Sequence, residues 1–207
     1  MHTRSSLEPL ESRIAPSAVF TFTDVDDDIA QITSSKGTNV DLMAAAHVTD
    51  GQLTLLDLTS AVFQGAAIKI NIKTIDSSGD GLVNVGYINA TGRDLLIVEV
   101  HGDLGRIDAG DGTFTTSGIS ALTVASLGRL GTSTQDAEPA PSLLSTINGA
   151  LFNLTVNSDV IEAHVVVRNV PSARLGISKL TIGGSLIGGN DPGSGEIETN
   201  GMSGQVK

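Results

Sequence analysis

Carboxylates dominate the chemistry this chain could do. Asp24, Asp26 and Asp28 alternate around Asp27. Like charges that close repel one another, and a hard, oxygen-seeking cation such as calcium would relieve them. The plain reading of the same residues is a hydrated acidic turn at a strand end. Further along, Asp76, Ser78 and Asp80 stand at positions 1, 3 and 5 of a calcium loop, with Gly81 at position 6 and Val83 at the apolar position 8. Tyr87 occupies position 12, where an EF-hand needs a bidentate Glu, and no helix pattern flanks the loop. A weaker calcium turn is all that survives. Asp108-Ala109-Gly110-Asp111-Gly112 is a fainter version, and the Gly-Gly-x-Gly-x-Asp nonapeptide does not occur.

Glu99, His101 and Asp103 alternate, so one strand face would carry an acid, an imidazole and a second acid. Such a set could do acid–base work or hold a metal. Leu96, Val98 and Val100 are expected on the opposite face, so the polar set reads as the outside of an amphipathic strand. Glu162, His164 and Arg168 around Val165 and Val167 read the same way. There is no Gly-x-Ser-x-Gly elbow, Walker loop, dinucleotide fingerprint or His-Glu-x-x-His. No catalytic residue is assigned.

Composition narrows the partners. Twelve Lys+Arg against 23 Asp+Glu give a net charge of −11, which repels nucleic acid and anionic lipid. With no Cys, disulfides and thiolate metal sites are excluded. With no Trp and one Tyr, stacking platforms for sugars or bases are scarce. No apolar run approaches the roughly 18–20 residues of a membrane span.

The elements that must position these groups are strands. Residues 1–17 form a polar leader with two prolines, and 18–94 an N-terminal β region. A hairpin is expected over 19–33, turning at 24–28, with further strands at 52–58 and 67–75 and a helical turn within 40–47. Residues 95–207 repeat loosely. Val100-His101-Gly102-Asp103-Leu104, Val156-Asn157-Ser158-Asp159-Val160 and Ile182-Gly183-Gly184-Ser185-Leu186 share the order aliphatic, any, small, Asp or Ser, aliphatic. Leu122-Thr123-Val124-Ala125-Ser126-Leu127 is one residue shorter. A Leu-Thr-aliphatic lead-in recurs at 122–124, 154–156 and 180–182. Whole strand–turn units recurring every twenty to thirty residues, separated by Gly, predict a right-handed parallel β-helix, or solenoid, from about Leu95 onward. A β-sandwich is the alternative all-β fold. The surplus length between Val124 and Val156 falls on a loop over 132–142. The inward set is Ile97 or Val98, Val100, Leu104, Leu122, Val124, Leu154, Val156, Val165, Val167, Leu180 and Ile182. Residues 195–207 look like the opening of a further coil, so the array is expected to be incomplete there.

Leu7-Glu8-Pro9-Leu10-Glu11-Ser12-Arg13-Ile14-Ala15-Pro16 resembles the N-terminal LEPR-XLL-type tag of large planctomycete and verrucomicrobial repeat proteins. The blocks at 21–28, 79–88, 126–133 and 180–189 resemble their recurring units. Asp27 departs from the Gly more usual in that turn. The resemblance implies an exported, cell-surface, β-helix-like protein. The expected function is a non-enzymatic structural or adhesive module, with calcium as the one suggested cofactor. A surface polysaccharide or further coils of the same array are the candidate partners. The alternative is a calcium-assisted, pectate-lyase-like β-helix enzyme, with Arg106, Arg129 and Lys179 converging on an Asp cluster.

Overall fold

Alternating aliphatics on short, Gly-broken segments produce an all-β chain. The computed structural model describes residues 17–74 and 79–207. Among these residues, sixteen strands join in one mixed sheet that does not close. The expected hairpin is β1 (Ala18–Thr23) against β2 (Ile29–Ser34), with Thr23 opposite Ile29. Helix α1 (Asn39–Ala45) follows, with the Thr38 hydroxyl and the Asp41 carboxylate capping each other's backbone N–H groups. It buries Leu42 and Ala45 in the core. Then come β3 (Ala46–Thr49), β4 (Gln52–Asp57), β5 (Ala66–Thr74) and β6 (Val85–Thr91).

From here the chain lays strand on strand in parallel. β7 (Leu95–Gly110) bends near Gly102 and serves two ladders. Its first part pairs with β5 and with β8 (Ser117–Leu127), and that ladder continues through β10 (Ala150–Val156), β13 (Leu175–Ile182) and β16 (Met202–Val206). Its second part pairs with β6, itself parallel to β4, and with β9 (Leu144–Asn148), leading on to β12 (His164–Arg168) and β15 (Glu196–Thr199). A short third ladder joins the end of β8 to β11 (Val160–Ile161) and β14 (Leu186–Ile187). Parallel pairing thus begins at β4 and β5, ahead of Leu95. Among the described residues, antiparallel pairs, which a sandwich would need throughout, are confined to β1–β2, β2–β5 and β3–β4.

The register aligns the recurring positions. Val100 pairs with Val124, Val124 with Val156, and Val156 with Ile182; Val98, Leu122, Leu154 and Leu180 form the adjacent column. Leu95, Ile119, Leu151 and Ile177 form a third. All of these but Leu180 and Ile182 are buried, and those two pack partly buried against the core. The spacing corrects the expected strict alternation. Two residues, not one, separate Leu95 from Val98, so Leu96 and Ile97 both lie outside, and Leu96 does not join Val98 and Val100. The same two-residue step separates Ile119 from Leu122 and Leu151 from Leu154. Among the described residues, no helix is long and apolar enough to cross a membrane.

Candidate functional site

The β1–β2 turn gathers the densest charge in the described chain. Asp24 closes it: its Oδ1 accepts the amides of Asp28 at 2.9 Å and Asp26 at 3.3 Å, while its own N–H donates to the Asp28 carbonyl at 2.9 Å. Asp27 completes the turn at φ +70°, the left-handed conformation that Gly takes most readily and Asp tolerates. Carboxylate oxygens of Asp24, Asp26 and Asp28 lie within 4.8 Å of one another. Asp24 and Asp28 are nearly inaccessible, whereas Asp26 is partly open.

Two acidic turns that looked independent in the sequence meet here. The Asp80 amide donates to Asp26 Oδ2 at 2.7 Å, and the Gly81 amide to Asp28 Oδ2 at 2.9 Å. Asp80 Oδ1 in turn accepts from Leu82 N–H at 2.8 Å. Gly79 passes so close that a Cβ there would overlap the Asp28 carboxylate. A shallow cavity of about 190 Å³ opens beside the cluster, with Asp24, Asp26, Asp80 and Asn84 in its lining. Asp76 and Ser78 lie outside the described residues.

Burial, then the hydrogen bond and charge of Asp26, push the Asp24 carboxyl up to about 6. Asp26 moves the other way, held below the usual carboxylate range by the Asp24 hydrogen bond and the Asp80 amide. The pair therefore favours one shared proton on Asp24. A hard cation could replace that proton, with Asp24, Asp26 and Asp28 as oxygen donors.

The other candidate sets separate. Glu99 ion-pairs with Lys69 at 3.7 Å on the surface, and His101 is exposed. Asp103, expected beside them, is buried at the bend of β7 and corrects the reading of this set as one outer face. Its carboxylate accepts from Ser126 Oγ at 2.6 Å and from the amides of Arg129 and Leu130 at 3.1 and 3.0 Å. The chain turns a corner at Gly102, so residues past it no longer share the face of Glu99. His164 lies 3.5 Å from Glu198 and lines a groove with Glu162 and Asp191.

A polar cluster on the outside of the second ladder escaped the sequence reading. Tyr87 donates its hydroxyl to Asp108 Oδ2 at 2.8 Å, Arg106 pairs with the same carboxylate, and its guanidinium lies 4.3 Å from the Tyr87 ring centre. Asp108 Oδ1 accepts the Thr146 amide at 2.7 Å. Burial and the neighbouring Asp108 hold the Tyr87 hydroxyl above the usual phenol range. The available signal was β-strand alternation, which places Arg106 and Asp108 on one face. Of the three basic residues, Arg106 belongs to the second ladder, Arg129 follows β8, and Lys179 belongs to the first ladder.

No protein-family profile, curated protein or solved structure matches the chain.

Proposed function

We propose that this chain is a non-catalytic structural or adhesive module, a right-handed parallel β-helix belonging to an exported cell-surface repeat protein. The observation that carries the reading is the in-register column Val100, Val124, Val156 and Ile182, rung after rung. A column of like residues is what a stack of equivalent coils requires. The distribution of Arg106, Arg129 and Lys179 over different parts of the sheet also favours scaffold over lyase. An acidic exterior and aliphatic interior suit a rod that displays surface rather than encloses substrate. Its partners are a surface polysaccharide or further coils of the same kind. Calcium is the ion that Asp24, Asp26 and Asp28 would take.

Small-angle scattering tests the architecture: a rod-like distance distribution supports the β-helix, and a compact one overturns it. Melting in millimolar calcium and again in EDTA tests the ion. A higher midpoint in calcium supports the acidic seat, because a ligand selective for the folded state stabilises it; equal midpoints remove calcium from the account. Turnover of an acidic polysaccharide would favour the lyase reading instead.

A further inference from the structure

Three of the five phenylalanines belong to the core: Phe63 is buried, and Phe20 and Phe22 stack on each other against it. The other two, Phe114 and Phe152, are 58% and 43% exposed, and both line one cavity of about 230 Å³. Three adjoining strands of the first ladder build it. Phe114 comes from the turn before β8, and Ala150 and Phe152 from the start of β10. Val170 and Arg174 come from the turn before β13, and Leu175 opens that strand. Both turns are held in place. The Asp111 amide donates to Asp94 Oδ1 at 3.1 Å, and the Asp111 carboxylate accepts the Thr113 amide at 2.7 Å. The Arg174 amide donates to the Pro171 carbonyl at 2.8 Å. Exposed apolar side chains gathered in this way, rather than scattered singly, mark a binding surface.

Arg174 stands at this apolar lining. Its Nη1 donates to the Phe114 carbonyl at 3.5 Å, and its guanidinium lies 6.0 Å from the Phe114 ring centre. In a chain of net charge −11, it still forms no ion pair among the described residues. We propose that the cavity is a binding site for a small aromatic carboxylate, its ring lodged against Phe114 and Phe152 and its carboxylate on Arg174. A planar guanidinium grips a carboxylate through two parallel hydrogen bonds, and phenyl rings pack offset or edge-to-face against a further ring. The size fits one ring, since a cavity of about 150 Å³ already holds benzene. A pyranose fits less well. Its hydroxyls would face Ala150, Val170 and Leu175, and burying them there unpaired is unfavourable. Of the two lining threonines, Thr116 already gives its hydroxyl to the Thr113 carbonyl. The site depends on neither calcium nor a cell-surface location, so it can fail while the proposed function stands.

The test titrates the full chain with 3-phenylpropionate, followed by calorimetry and by ligand-observed NMR. Saturable binding at a single site is expected, with a dissociation constant in the millimolar range for so small a ligand. Neutral 3-phenylpropanamide should bind the unaltered protein about tenfold more weakly, having lost the charge-assisted contact. Arg174→Gln should weaken the acid by the same factor and leave the amide unchanged, whereas Phe152→Ser should weaken both. Both side chains are exposed, so the circular dichroism spectrum of each variant should match that of the unaltered chain. The comparison of acid with amide needs no variant and stands even where one misfolds. Absence of saturable binding overturns the proposal, as does equal affinity for acid and amide. Binding indifferent to Arg174→Gln and Phe152→Ser overturns it as well. Glucuronate binding more tightly than 3-phenylpropionate would make the cavity a sugar seat and overturn it too.

Discussion

At the residue scale, Asp24 is a carboxyl held near neutrality by its surroundings, with a definite pH signature. Its folded pKa of about 6 lies above the ordinary 3.8, so between those values the folded chain keeps a proton that the unfolded chain releases. The stabilisation is complete below about pH 4 and is lost as pH rises through about 6. Asp26 has the opposite shift, so its stabilisation is lost only in more acid solution, and the two windows do not overlap. Asp24→Asn keeps an oxygen for the Asp26 and Asp28 amides and removes the charge. In EDTA, the wild-type melting temperature should fall between pH 4 and 6.5 relative to the variant, and the variant should be the more stable above pH 6.5. Parallel profiles would show that Asp24 has an ordinary pKa. The composition of this turn was legible in the sequence, but its partner was not. Asp80 and Gly81 reach it from more than fifty positions away in the chain, and no local pattern encodes a contact of that range.

At the element scale, what was legible is what repeats. The Asp-or-Ser position of the recurring unit turns out to be a stacked corner: Asp103 binds the Ser126 hydroxyl, and Asp159 Oδ1 accepts the Ser185 amide at 2.7 Å. The unit could therefore be read from sequence before its role was known. The two-residue step from Leu95 to Val98 was not legible, because strict alternation explains Leu96, Val98 and Val100 equally well until the register is seen. Nor was the place of the long insertion. Its 3₁₀ turn (Gly131–Thr134) folds back onto the second ladder, where Asp136 accepts the Thr54 hydroxyl at 2.7 Å and Gln135 Oε1 accepts the Ser142 amide at 2.9 Å. Gly86 is the point of closest approach, its missing side chain making room for the Thr134 and Thr54 carbonyls. Gly86→Ala should therefore lift the insertion, costing about 1–3 kcal/mol as overpacking does. Denaturant unfolding would measure the loss, and limited proteolysis should show faster cleavage within 132–142. Unchanged stability and cleavage would mean that the insertion does not rest on β6.

At the scale of the whole molecule, each strand of the parallel ladders packs against the strands on either side, so the same side chain is worth less where that cover is incomplete. Leu122, Leu154 and Leu180 make the comparison clean, being one residue type in one column. The first two are fully enclosed, and Leu180 is partly open. Leu122→Ala and Leu154→Ala should each cost about 2–5 kcal/mol, the range for emptying an enclosed leucine site. Leu180→Ala should cost less, since solvent already reaches the site and can fill what the truncation leaves. Equilibrium unfolding of the three variants measures the difference, and three equal penalties would mean that Leu180 is as enclosed as Leu154.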